Sequence, residues 1–342
     1  ALRLPEARWS NYTPGLAIWQ KLPWNESGNA HGSGLSSGNA KDPGVVPAGP
    51  GSSMCQPESD MPTESLLDCA LAMFPLVSES DLIQGLADAV TVKETIEGRC
   101  PGGAGDKLAQ YGAWLSFLRE NPAAPASGIE IGTLFGGSCL VMLQAIRHQG
   151  REGRLTCIDP MDGFYGQSSD LSGLPVTPVI FHRNLERLGF SPLTVDLRTF
   201  LSHEPGAIAG LQPESAGVLL IDGDHTRAGV QRDWALYHPY VAKGGYVLFD
   251  DYANPAWPEV KEAVDAILAE SPAGWTSLGC LGMTLVVGRQ IPARGGSGRS
   301  SRSSETGRVA LGALSAAWLA LDKVIQMRAA LLDKHAQMLA AV

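Results

Sequence analysis

Between residues 123 and 289, short β-rich apolar runs alternate with amphipathic stretches: GIEIGT, LTCID, LTVDL, GVLLIDGD and GGYVLFDDY, then TSLGC and MTLVVG. Strand-helix alternation requires crossovers between strands that point the same way, so it predicts a mostly parallel sheet covered by helices on both faces. The last two runs break the rhythm. Only Leu281 and Gly282 lie at their join, too few residues for a crossover helix, so the two form an antiparallel hairpin. The expected fold class is α/β: a doubly wound seven-stranded sheet, mostly parallel, closed by a C-terminal antiparallel hairpin.

The flanks read differently. Residues 1–60 form a largely irregular arm, because the stretch from Trp24 to Ser53 is dominated by Gly, Ser, Asn and Pro and has little apolar area to offset its ordering entropy. Residues 61–122 form a helical N-terminal or lid segment. Leu66, Leu67, Ala70, Leu71, Phe74 and then Leu82, Ile83, Leu86, Val90 fall at helical spacing, and a further helix over 107–120 stops at Asn121-Pro122. The core occupies 123–289. A Gly/Ser/Arg-rich linker (290–307) then leads to a C-terminal helix (308–342), whose broad apolar face docks on its own core or mediates a homo-oligomer or larger assembly.

Composition excludes some partners. The chain is 44% hydrophobic and 18% charged, enough apolar residue to bury a substantial core. A net charge of -9 opposes nucleic acid, whose binding needs a basic surface to release counterions. No run approaches the roughly 18 apolar residues of a membrane span, and no basic-then-apolar leader opens the sequence, so a cytoplasmic protein is expected. The chain begins at Ala1 rather than Met, which is compatible with a leader removed upstream. Six scattered cysteines with no CxxC pair are expected to be free thiols.

The loop IEIGTLFGGS follows the first strand and opens a helical run. Gly132 permits a tight turn off the strand, while Gly136 and Gly137, followed by Ser138, let backbone approach a ligand. A dinucleotide fingerprint would read GxGxxG, and Thr133 and Leu134 stand in that stretch instead, which opposes a nicotinamide cofactor. Glu130 is placed to attract the cationic amino group of S-adenosylmethionine. Asp159 ends the second strand, where a carboxylate accepts both hydroxyls of a ribose.

The fourth run ends in Asp222, with Asp224 and His225 just beyond, and the fifth ends in Asp250 and Asp251. Neighbouring parallel strands thus deliver several carboxylates to one sheet edge. Clustered like charges repel unless a cation sits among them, and oxygen donors with room for water suit magnesium. Asp222, Asp250 and Asp251 are the expected metal ligands. His225, three residues after Asp222, is the expected general base, and Asp222 also borders the cofactor.

These runs resemble the class I methyltransferases, within them the group related to macrocin and mycinamicin sugar O-methyltransferases and cephalosporin-hydroxylase-type proteins. The carrying segments are IDGDHTRAGVQRDWALYHPYVAKGGYVLFDDY, IEIGTLFGGS, and IDPMDGFYG followed by GLPVTPVIFHRNLERLG, covering roughly half of the chain. The resemblance implies a Rossmann-like core, S-adenosylmethionine and Mg2+ as cofactors, magnesium on Asp222, Asp250 and Asp251, and His225 as base. It also implies that the 162–178 segment covers the active site, with Asp162 and Tyr165 near substrate. The third strand's end, VDLRTF, departs from the family's Gly-Asp-Ser adenine pocket, and adenine contacts are placed around Arg198 and Thr199. The implied acceptor is a hydroxyl of a sugar or natural-product small molecule. A catechol-type O-methyltransferase is the nearest alternative, and a non-catalytic subunit that retains the fold for assembly is the alternative of another class.

Overall fold

The computed structural model describes residues 63–290 except 165, 166, 171 and 271–273. The arm, the linker beyond Gln290, the C-terminal helix and Tyr165 lie outside the described residues. The strands are β1 (Ala126–Ile131), β2 (Gly153–Ile158), β3 (Val195–Arg198), β4 (Ala216–Ile221), β5 (Val241–Phe249), β6 (Trp275–Leu281) and β7 (Thr284–Arg289). They form one seven-stranded sheet in the order β3-β2-β1-β4-β5-β7-β6. The first five pair in parallel, and β7 runs antiparallel to both β5 and β6. This is the Rossmann-like sheet with its closing hairpin. The third strand begins two residues later than the run LTVDL suggests, because Pro192–Thr194 wind into a 3-10 turn capped by Ser191.

From β1 the chain steps outward through β2 to β3, then returns to lay β4 on the other side of β1. The strand order reverses between β1 and β4, and ligands of open α/β sheets bind in the crevice beyond the strand tips at such a point. Alternation along the strands separates two cores. Leu155, Cys157, Val218, Leu220, Tyr246 and Leu248 face one side and pack with α3 (Ala104–Glu120) and α4 (Gly137–His148). Ile129, Ile131, Leu219, Ile221, Val247 and Phe249 face the other, under α7 (Arg227–Tyr237) and α8 (Pro258–Glu270).

Helix α3, which the sequence places in a helical or lid segment, lies in the core. Every residue from Ala104 to Leu118 is buried. It can lie so close to the sheet because β1 and β4 carry glycine beneath it: a Cβ on Gly128 would come within 2.6 Å of Trp114, and one on Gly217 within 2.3 Å of Phe117. At its start, a Cβ on Gly105 would reach within 2.3 Å of the backbone of Gly282 in the β6–β7 turn. The carboxylate of Asp106 accepts hydrogen bonds from Met283 N (2.7 Å) and Thr284 N (3.1 Å), fastening that turn to the helix.

The residues before α3 form two helices, α1 (Thr63–Met73) and α2 (Glu79–Thr95). Ser78 and Asp81 make a reciprocal capping box at the start of α2. Asp81 also takes two hydrogen bonds from Arg119 of α3 (2.7 and 2.8 Å). Burial pushes its carboxyl up, but Arg119 and Ser78 outweigh burial and hold it below the usual carboxylate range. Cys69, Cys100, Cys139 and Cys157 are free, whereas Cys280 is disulfide-bonded. The expectation of free thiols throughout therefore fails at Cys280, whose pairing no local spacing signals.

Candidate active site

One hydrogen bond beyond each strand's last pair sets the level of the site. Asp159 N donates to Arg198 O (3.1 Å), Gly132 N to Ile158 O (2.9 Å), Asp222 N to Ile131 O (2.9 Å) and Asp250 N to Ile221 O (3.1 Å). Four of the residues picked from the sequence thus stand on one row at the C-terminal edge. Gly132 is required there: its φ is +81°, and a Cβ would lie 2.0 Å from the carbonyl oxygen of Asp222.

On the β1–β2 side the acidic groups hold the glycine loop. Asp159 Oδ2 accepts from Thr133 N (3.0 Å) and Leu134 N (2.9 Å), and its Oδ1 accepts from Met161 N (2.8 Å). Burial raises its pKa, and these three amides oppose the rise. Leu134 and Met161 both sit at positive φ (49° and 56°), strain that the Asp159 bonds help to hold. Glu130, 1% exposed, accepts from Thr133 Oγ1 (2.7 Å) and Cys157 Sγ (3.3 Å) through Oε2, while Oε1 has no partner. Burial pushes its carboxyl up to about 7 against the lowering effect of the Thr133 and Cys157 bonds and of the Lys107 charge. Gly136 (φ +86°) and Gly137 leave room for protein: a Cβ would meet Phe181 at 2.8 Å and Cys100 Sγ at 2.8 Å respectively.

On the β4–β5 side the acidic groups face one another. His225 Nε2 lies 3.3 Å from Asp222 Oδ1 and 3.2 Å from Asp251 Oδ2, and its ring stacks on Trp257 at 4.7 Å and 17°. Ligand atoms of Asp222, His225 and Asp251 lie within 4.8 Å of one another. Asp250 turns elsewhere, taking the hydroxyl of Thr284 in β7, which also touches Asp106. The structure therefore brings His225 into the group with Asp222 and Asp251, where the sequence placed Asp250. Burial lowers the affinity of the imidazole for its proton, but Asp222 and Asp251 overcome this and push its pKa up to about 10. Burial and the charge of Asp250 push Asp222 well up, whereas Asp251, although buried, is held low by His225. Two carboxylates and an imidazole meeting at one strand-tip edge are a donor set that a divalent cation can use. Asp224 stands apart as an exposed turn residue that accepts from Thr226 N and pairs with Arg232.

The 162–178 segment folds through two short bridges, Phe164 with Gln167 and Ser169 with Pro175. Arg99 reaches Asp170 within it at 3.4 Å. Asp162 is exposed beside Asp159. Arg198 is engaged by Asp196 (2.9 Å) and the carbonyl of Ala207 (2.8 Å), so its guanidinium serves the loop after β3.

Three contributors were missed in the sequence. Lys107 of α3, 1% exposed, donates to Ser138 Oγ (3.0 Å). Burial lowers its pKa, but Cys100, Asp250, Asp106 and Asp222 raise it overall, so it stays protonated. Thr284 anchors Asp250. Asn184, fully buried, accepts from Glu97 N (2.7 Å) and donates to Phe135 O (3.0 Å), tying the glycine loop to the segment before α3.

Residues 129–252 match the model of a methyltransferase domain family. An uncharacterised protein of Acanthamoeba polyphaga mimivirus is 35% identical over 147 residues, 43% of this chain; the chain spans 61% of that relative's length. Among solved structures, the O-methyltransferase NovP is similar at 18% identity with a TM-score of 0.45, covering 67% of this chain and all of its own. An O-methyltransferase from Bacillus cereus is similar at 14% identity and a TM-score of 0.40, with the same coverages. The calicheamicin methyltransferase CalS11 is similar at 17% identity and a TM-score of 0.39, covering 61% of this chain and 91% of its own. Among the described residues no helix is long and apolar enough to cross a membrane. The matched segment runs from within β1 to just beyond the tip of β5 and so includes the strands that carry the edge row.

Proposed function

We propose that this chain is an S-adenosylmethionine-dependent, magnesium-assisted O-methyltransferase acting on a hydroxyl of a sugar or natural-product small molecule. The observation that carries the reading is the pairing of two unlike acidic groups across the switch point. On one side is a glycine loop with a buried carboxylate oxygen lacking a partner; on the other is a cluster of Asp222, His225 and Asp251 whose ligand atoms converge. The first suits a cationic amino-acid end, and the second suits a divalent ion. S-adenosylmethionine supplies a methyl group on a sulfonium, which leaves with sulfur's electron pair returned to the thioether.

The residues of the chain do the rest. Glu130 attracts the ammonium, Asp159 fixes the loop and borders the ribose, and Asp222 lies between cofactor and acceptor. Most of the rate comes from alignment, because the methyl group moves in line between two heavy atoms held in place. His225 takes the acceptor's hydroxyl proton as the new carbon-oxygen bond forms. In its present surroundings the imidazole is held protonated by Asp222 and Asp251. Asp222 and Asp251, and the neighbouring Asp250, would hold Mg2+, which would supply the positive charge that makes the acceptor hydroxyl more acidic. Asp162 and Tyr165 border the acceptor.

The test is calorimetric titration with S-adenosylhomocysteine, with and without magnesium, followed by methyl-transfer assays on sugar-bearing and catechol acceptors. Binding together with magnesium-dependent transfer to the sugar hydroxyl supports the reading. Preference for the catechol redirects the substrate class, and absence of cofactor binding rejects the enzyme.

A further inference from the structure

Lys107 has more hydrogen-bonding capacity than the protein uses. Its ammonium carries three donors, and the described residues give it one acceptor, Ser138 Oγ. No carboxylate forms an ion pair with it within 4.0 Å among the described residues, although it is 1% exposed. Asp106, Asp222 and Asp250 are close enough to favour its charge but none is in ion-pair contact with it, so its remaining donors are open to a further anionic acceptor. Ser138 is the second residue of α4, so the ammonium stands beside the helix start, where unpaired backbone N–H groups also favour negative charge.

Its neighbour has the opposite deficit. Glu130 points to the same side of the sheet, toward α3 and α4, since its register partners Cys157 and Leu220 belong to that core. Its Oε1 is buried without a partner. The two charges influence one another electrostatically but do not meet as an ion pair. A buried cation and a buried carboxylate, each with unused capacity and held apart at one helix start, form a receptor for a zwitterion.

We infer that Lys107 anchors the carboxylate of the cofactor's amino-acid end, by direct contact through the donors that Ser138 leaves unused, while Glu130 takes the ammonium. The inference rests on the S-adenosylmethionine reading and adds to it a binding residue from outside the matched segment. Lys107 thereby selects cofactors with an intact amino-acid end over adenosyl thioethers that lack one.

The test titrates S-adenosylhomocysteine and 5′-methylthioadenosine, which keeps the adenosine and thioether but lacks the amino-acid end, into the full chain and into Lys107→Met. The variant is expected to bind S-adenosylhomocysteine at least about 10-fold more weakly, the size of a lost charge-assisted bond, and methylthioadenosine within about twofold of the parent. Unchanged S-adenosylhomocysteine affinity, or an equal loss for both ligands, overturns the inference. If Lys107→Met fails to fold, the unmodified chain is titrated with decarboxylated S-adenosylhomocysteine. Binding at least about 10-fold weaker than that of the parent ligand supports the anchor, and equal binding overturns it. A parent chain that binds neither S-adenosylhomocysteine nor methylthioadenosine removes the cofactor reading itself, a result distinct from failure at Lys107.

Discussion

The two halves of the sheet edge use the same residue type in opposite ways. Beyond β2, Asp159 directs its carboxylate at three backbone amides and so fixes a strained loop. Beyond β4 and β5, Asp222 and Asp251 direct theirs at one imidazole and at each other's field. A carboxylate that bonds backbone is part of the scaffold, and its removal is felt in folding. A carboxylate crowded by its own kind is kept for a ligand, and its removal is felt in turnover. On the proposed reading, the edge separates a preformed cofactor seat from a reaction centre built of crowded carboxylates.

Substitutions at the crowded side give the largest expected effect. Asp222→Ala should lower magnesium-dependent methyl transfer by at least about 100-fold while sparing most affinity for S-adenosylhomocysteine. Unchanged turnover would merge the two sides and reject the metal role. Asp159→Ala, by contrast, leaves three amides short of a charged acceptor and should cost about 3 kcal/mol, lowering the melting temperature by about 6–12 °C. A melting curve that matches the parent would show that the loop does not depend on that carboxylate.

Glu130 stands between these extremes, since one oxygen serves the loop and the other is unpartnered. Its carboxyl, pushed up to about 7 by burial, is protonated in the free protein below that pH and must lose its proton to receive an ammonium. Affinity for S-adenosylhomocysteine should therefore rise as pH climbs from 6 to 8, and Glu130→Gln should flatten that profile and weaken binding about 10-fold. A parallel slope in the variant would assign the titration elsewhere. The smallest effect is a control outside both halves. Ser78→Ala removes the α2 cap and should cost about 1 kcal/mol in denaturant unfolding, with cofactor affinity untouched.

The edge row was legible in the sequence because each member directly follows an apolar β run. Once a strand ends at Ile158, Ile221 or Phe249, the next residue must stand at the tip. The hairpin was legible for a similar reason, too short a join for a crossover. What escaped depends on contacts between distant residues. Asp250 and Thr284 are 34 residues apart, and Lys107 and Ser138 are 31 apart, separations at which no periodicity speaks. Helix α3 was legible as a helix, whereas its burial depends on Gly128 and Gly217 in other elements. The glycines of the nucleotide loop were recognised by position, yet two of them are small to admit Phe181 and Cys100.

The grip of Asp106 on the β6–β7 turn joins the helix that precedes the first strand to the hairpin that ends the sheet. Through Thr284 the same clasp reaches Asp250. Trimming either end of the core thus loosens a carboxylate at its centre, which makes the strand-tip edge sensitive to cuts far away in sequence and unsuited to being excised as the matched segment alone.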